Sequence, residues 1–413
     1  MPIRWGKGHQ QMSQSGGPLD QGRRTRVFFA PGRINLIGEH TDYTGGLVMP
    51  AAIDAGTTAT VSAREDASLA FASRDYPGEI VFRGDVLASG RIEIIRRSDD
   101  GWGQYVLGVL TAWVEALSAM GRKIPELSGL SINIESTLPQ GAGLSSSASL
   151  TVLIAYLLDA LGRTELPRSA LVRIAKMAEN DHVGVASGIM DPFAIAFGRE
   201  GHAIFLHTDT LDHTYVPLAF HPYELIVIDS GKRRTLVDSA YNTRFGEAER
   251  AWREIRRIRP ELPYLGALTP QGWSTIRPMI KDPVLVRRVD HLVGENERVR
   301  EARRALEKGD LPKFASLLTA SHRSLRDLYE VTGPELDALV DTALSFPGVL
   351  GARMMGAGFG GVTLNVVEPS KRDAFVAFVC ERYTRLTGLL PRFYRFQIAD
   401  GVREIRLPGT PAR

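Results

Sequence analysis

The sequence has little of most features that would assign it to a special class. A single cysteine, Cys380, excludes an intramolecular disulfide and makes a reducing, cytoplasmic setting the expectation. It falls in "AFVAFVCERY", whose apolar spacing is helical, and reads as a small core side chain rather than a catalytic thiol. No run approaches about 18 consecutive apolar residues, so no membrane-crossing helix is expected. Residues 1–25 are polar and lack the apolar core of a secretory signal, and they read as a disordered tail. Charge of one sign is missing too: 50 Lys and Arg against 47 Asp and Glu leave a net charge of +3. With no basic block interleaved with aromatics, nucleic acid is not an expected partner. No Gly-x-x-x-x-Gly-Lys-Ser/Thr occurs, which excludes a Walker phosphate loop, and no internal repeat stands out.

What remains is an ordinary globular balance, 44% hydrophobic and 23% charged, over 413 residues. That length suggests two domains of roughly 200 residues each. Strands are expected at "RVFFA", "GLVMPAAI", "TTATVSA", "IEII" and "LSINIEST", and helices at "GQYVLGVLTAWVEALSAMG", "SLTVLIAYLLDALG" and "RSALVRIAKMAENDHVG". "YELIVIDSG" reads as a strand, residues 243–346 as mostly helical, and the end as strand, helix, strand. The arginine-rich helices read most simply as solvated faces. The histidines at 202, 207, 213 and 221 have no defensible zinc spacing.

Three glycine-bearing stretches carry the chemistry. "LPQGAGLSSSASL" follows a strand and runs into an apolar helix. Gly141 and Gly143 allow close approach of the backbone to a ligand. The N–H groups of Gly143, Leu144, Ser145, Ser146 and Ser147, leading to Ala148, would open a helix N-terminus onto an anion. One serine would suffice as a helix cap, so four serines beside two glycines favour phosphate. In "MMGAGFGGVTLNVV", Gly356, Gly358 and Gly361 match Gly-x-Gly-x-x-Gly. The dinucleotide motif must open onto a helix, whereas this loop opens onto a strand, so that reading fails. Between them, Glu179 and Asp191 stand twelve residues apart. Two carboxylates downstream of a phosphate loop suit phosphoryl transfer, one to hold Mg²⁺ and the other to orient or deprotonate a hydroxyl.

The third stretch to weigh is "GRINLIGEHTDYTGG", residues 32–46, with an arginine, a histidine and two carboxylates around Leu36-Ile37. In this order the stretches resemble the GHMP kinases, and "GRINLIGEHTDY" is similar to the signature of their galactokinase branch. The resemblance continues through "WGQYVLGV", "KRRTLVDSAYNTR", "SHRSLRDLYEVTGPELDAL" and "RMMGAGFGG", and covers about residues 26–398. It implies an α+β, two-domain fold: a ribosomal S5 domain 2-like N-terminal domain over 26–205, a ferredoxin-like C-terminal domain over 206–400, and a tail over 401–413. It implies that Glu39, His40, Asp42, Tyr241 and the backbone of Gly188 bind the sugar. Asp191 would be the catalytic aspartate and Arg33 its partner, a cation that favours the charged carboxylate and the moving phosphoryl group. Ser147 and Glu179 would hold Mg²⁺, Trp102 and Tyr105 would lie near adenine, and Arg233 matches a further nucleotide-site arginine. The chain departs from the pattern at Pro192, at His207-Thr208-Asp209 and at Met355, and the helix ahead of the first motif is missing. The expectation is an ATP- and Mg²⁺-dependent sugar-1-kinase acting on galactose, with a monomer as the family's default. Kinases for N-acetylgalactosamine, arabinose or galacturonate, and a silent galactose sensor, are the alternatives.

Overall fold

The protein was analysed as a computed structural model, which describes residues 25–99, 101–139, 141–185, 187–232 and 237–406. The expected N-terminal tail lies almost wholly outside them, and Arg233 lies outside them as well.

Two sheets of different construction organise the α+β architecture. The first has seven strands in the order Arg403–Ile405, Arg26–Asn35, Pro50–Ala63, Leu130–Ser136, Ser68–Ser73, Glu79–Arg83, Ile94–Arg97. All its pairings are antiparallel except Ser68–Ser73 against Leu130–Ser136. Helices Gly103–Ala119, Ser146–Gly162, Arg168–Met177 and Met190–Phe197 supply one continuous core against it, which includes Phe28, Trp113, Leu153 and Phe193. The helix from 146 is apolar nearly all round because it is packed on nearly all sides.

The second sheet is antiparallel, in the order Val349–Met355, Val362–Val367, Glu224–Asp229, Arg392–Tyr394. Helices Pro334–Leu344 and Arg372–Thr387 cover one face, while Leu311–Ser324 lies on the other. A further core joins the halves, bringing Ile34, Leu36 and Met49 onto Phe314, Leu318 and Met355. The segment between residues 35 and 50 is therefore clamped between the sheets.

Three expectations need correcting. The tail over 401–413 is not all tail: Arg403–Ile405 pairs with Val27–Phe29, and Arg26 forms a two-pronged ion pair with Glu404 at 2.7 and 2.9 Å. The helix from 168 does not continue regularly to Gly184; it widens at Ala178–Val183 into a π-turn, which reorients Glu179 relative to the helix before it. The helix Pro283–Glu307 is not a solvated face, because Arg288, His291, Glu295 and Asn296 are all buried.

Candidate active site

The site forms where the first strand meets the phosphate loop. That strand carries a bulge between Pro31 and Arg33. Gly32 sits in it because a Cβ there would fall 2.5 Å from Leu138 and 2.8 Å from the Leu144 carbonyl. The loop thus packs directly on the strand, and the Arg33 N–H donates to that carbonyl at 3.3 Å. In the loop itself Gly141, Gly143 and Ser145 are left-handed, with φ of 72, 73 and 63°. Alternation of this kind favours a concave row of N–H groups. Ser145 precedes the helix but makes no capping bond; its hydroxyl donates instead to Asp191. Serine-rich capping therefore does not account for this stretch. Leu144 and Ala148 bury their side chains, so only their backbones can meet a ligand.

Asp191 enters from the first turn of Met190–Phe197, where Pro192 is tolerated because that turn's N–H groups have no intrahelical partner. Arg33 grips it with both prongs, Nε to Oδ1 at 2.7 Å and Nη2 to Oδ2 at 2.8 Å, while its Nη1 donates to Gly143 O at 2.8 Å. Burial works against the Arg33 charge, and Asp191, Glu39 and Asp42 outweigh it, leaving the pKa above the ordinary arginine value.

Beside this pair, a cavity of about 280 Å³ is lined by Arg33, Glu39, His40, Asp42, Asp191 and Tyr241 together with the loop, Glu179 and Gly188. Glu39 accepts from Gly356 N–H at 2.9 Å and has Arg353 Nη2 at 3.1 Å. Burial raises its pKa, and Arg353 and Arg33 oppose the rise. Asp42 is pushed up to about 7 by burial and by the charges of Asp191 and Glu39. His40 is pulled down to about 3, chiefly by burial, and is neutral at physiological pH. Its Nε2 faces Ala357 O at 3.2 Å, so it carries the proton there; Nδ1 then accepts from Tyr43 OH at 3.0 Å, which accepts from Tyr329 OH at 2.8 Å. The Tyr241 ring lies 5.6 Å from His40, and burial lifts its hydroxyl well above its ordinary pKa. Met355, where the resemblance favours threonine, accepts the Asn35 N–H at its sulfur, 3.1 Å away.

A second cavity of about 540 Å³ adjoins the first and shares Gly141, Ser146 and Ser147 with it. Trp102 and Tyr105 line it; Trp102 is also nearly buried and donates its indole N–H to Pro77 O at 3.3 Å. Glu179 lies under the loop, raised to about 7 by burial against the pull of Ser147, and its Oε1 is buried without a hydrogen-bond partner. A buried oxygen left in that state beside a serine fits a divalent cation that prefers oxygen ligands. Of the expected site residues, Arg233 lies outside the described residues. Arg353, Tyr43 and Tyr329 were missed by sequence reasoning. All three fall within stretches quoted for the resemblance: Tyr43 in "GRINLIGEHTDY", Tyr329 in "SHRSLRDLYEVTGPELDAL" and Arg353 in "RMMGAGFGG".

Comparison with known proteins agrees with this geometry. Family models match over residues 105–199 (GHMP kinases N terminal domain) and 302–385 (GHMP kinases C terminal), and the chain is a GHMP kinase. A third model, the galactokinase galactose-binding signature, matches residues 20–63. The galactokinase of Halalkalibacterium halodurans is 40% identical over 94% of both chains. That of Enterococcus faecalis is 43% identical over 92% of this chain and 95% of its own. The crystal structure of Lactococcus lactis galactokinase complexed with galactose aligns with a TM-score of 0.84 at 40% identity, covering 92% of this chain and 95% of that one. The chain belongs to the galactokinase family. L. major mevalonate kinase, 19% identical with a TM-score of 0.59, shares the fold. Among the described residues no helix is long and apolar enough to cross a membrane.

Proposed function

We infer that the protein transfers the γ-phosphoryl group of ATP to the C1 hydroxyl of α-D-galactose. The observation that carries this is the Arg33–Asp191 pair lining the first cavity beside the phosphate loop, whose Gly141, Ser146 and Ser147 line the second cavity as well.

A carboxylate offers about four lone-pair sites. Arg33 and Ser145 occupy three of those on Asp191, one on Oδ1 and two on Oδ2. The remaining site, on Oδ1, accepts the proton of the C1 hydroxyl as its oxygen attacks phosphorus. That hydroxyl is anomeric and more acidic than an ordinary alcohol, so a carboxylate suffices as base. Arg33 keeps Asp191 aimed and places positive charge beside the transferring group. Glu39 and Asp42 accept from sugar hydroxyls, and Tyr241 and His40 pack on the ring. The loop N–H groups and serines receive the phosphates at the start of the helix from 146, and the adenine lies against Trp102 and Tyr105. Ser147 and Glu179 hold Mg²⁺, which when bound offsets the phosphate charge.

The cavity's charge argues for a neutral acceptor. Four carboxyl groups line it, those of Glu39, Asp42, Glu179 and Asp191, and the arginine that lines it is already engaged. A galacturonate carboxylate would meet like charge. A silent sensor would have no need of the Arg33–Asp191 geometry. A coupled ADP-release assay with ATP and Mg²⁺ over galactose, glucose, N-acetylgalactosamine, arabinose and galacturonate tests the reading, with the product identified by mass. Galactose-dependent turnover well above the others is expected, and silence on galactose would overturn it.

A further inference from the structure

The turn that carries Glu39 and His40 is an awkward one. Gly38 has φ of 102° and His40 has φ of 62°, and a left-handed non-glycine residue costs on the order of 1 kcal/mol unless its surroundings hold it. The surroundings come from the other half of the molecule, chiefly from the helix Pro283–Glu307. Glu295 Oε1 accepts the Gly38 N–H at 3.0 Å and the Ser321 hydroxyl at 2.6 Å, while its Oε2 takes Arg298 Nε–H at 2.7 Å. One turn earlier, His291 Nε2 lies 3.2 Å from Glu39 O, with Ser324 Oγ at 2.8 Å from Nδ1. Asn296 accepts the Leu47 N–H at 2.8 Å, at the far end of the same loop. From the sheet side Arg353 Nη1 donates to Leu36 O at 2.8 Å. Glu295 and His291 have no exposed surface. Burial works against the Glu295 charge, yet Arg298 and the nearby cations outweigh it and pull its pKa down to about 2. An ionised acceptor of this sort makes a stronger bond to an N–H than a neutral one.

We propose that Glu295 is a positioning residue for the acceptor sugar: by taking the Gly38 N–H across the interface between the halves, it holds the turn that presents Glu39 and His40 to the cavity. The proposal rests on the sugar-kinase reading above. Glu295 lines neither cavity, so it touches neither sugar nor nucleotide. Its effect should fall on sugar affinity alone. A residue of merely structural importance would move the KM for ATP, kcat and thermal stability together.

The test is steady-state kinetics of Glu295→Ala and Glu295→Gln with each substrate varied, alongside melting temperatures. Glu295→Ala leaves the Gly38 N–H without its acceptor, and the KM for galactose is expected to rise about tenfold or more. The KM for ATP and kcat at saturating galactose should stay within about twofold, less than 0.5 kcal/mol. Glu295→Gln keeps an oxygen for Gly38 and should recover most of the loss. Ser321→Ala removes the other donor to the same oxygen and should leave the KM for galactose near wild type. Should Glu295→Ala fail to fold, Glu295→Met, which keeps the volume but offers Gly38 no strong acceptor, decides: a galactose KM unchanged, or shifted equally with that for ATP, overturns the proposal. Ratios are read with whichever sugar the wild type phosphorylates. Wild-type silence on galactose thus counts against the proposed substrate, and an unselective variant counts against the role of Glu295.

Discussion

Asp42 fills the space where a side chain on Gly188 would be: a Cβ built there falls 1.7 Å from Asp42 Oδ2 and 2.1 Å from its carboxyl carbon. The backbone at Gly188 is not left-handed, so the requirement for glycine is one of room alone. Gly188→Ala should displace the Asp42 carboxylate and raise the KM for galactose by about tenfold or more, roughly the worth of one charge-assisted hydrogen bond. ATP binding should be retained, because the phosphate loop does not touch this contact. Titration calorimetry with each ligand separates the two effects, and equal loss of both would point to misfolding.

Removal of the proposed base has a different signature. Asp191→Ala is expected to lower kcat by about 10²–10⁴-fold. Nucleotide affinity should change far less. The substitution also strands the buried Arg33 guanidinium, so a lower melting temperature accompanies it. Wild-type-like turnover in a folded variant would refute the role.

The pH dependence follows from Asp42 and Glu179, both raised to about 7, mainly by burial. In the unfolded chain such groups release their protons near pH 4. Between about pH 4 and 7 the folded state therefore binds more protons than the unfolded one, and these two groups make apo-protein stability fall as pH rises. Ligand binding has the opposite slope, since ionised Asp42 accepts sugar hydroxyls better. The KM for galactose should fall from pH 6 to 8, and Asp42→Asn should flatten both trends. His40, held at about 3 chiefly by burial, stays neutral in the folded protein but takes a proton near pH 6.5 in the unfolded chain. It therefore makes stability rise with pH below about 6.5 and opposes these two groups there. It does not affect the KM trend from pH 6 to 8.

Glu179 offers a separate handle on the cation. Glu179→Gln removes a buried carboxylate and should raise the apo-protein's melting temperature at pH 8. At the same time it should shift the Mg²⁺ requirement of turnover to higher concentration, by about tenfold or more. A Mg²⁺ titration of the rate, compared with the wild type, checks this; an unchanged midpoint would remove Glu179 from the metal site.

The local chemistry was legible because part of it is written contiguously: the first strand and the turn after it in "GRINLIGEH" supply Arg33, Glu39 and His40, and the loop "GLSSSAS" supplies Gly143 and Ser145 to Ser147. The glycines at 141 and 143 read as allowing close approach of the backbone, and both adopt left-handed backbone. What periodicity could not disclose was long-range. In "RRVDHLVGENERVREARR" the charges look like solvent, yet Glu295 and Arg288 are nearly inaccessible because their partners arrive from residues far away in sequence. The π-turn at 178–183 was equally hidden, since one widened turn hardly alters an apolar repeat. Strand Arg403–Ile405 is three residues long, too short for alternation to register.

That short strand has a consequence for biosynthesis. Its partner is the first strand of the same sheet, so residues 27–29 wait for 403–405 before the sheet's edge is complete. A chain emerging from the ribosome can gather the helices over 103–197 early. It cannot cover its opening strand until nearly everything else has been made. Translation that stops short of residue 403 leaves an exposed edge beside the phosphate loop's supporting strand, open to pairing with other chains.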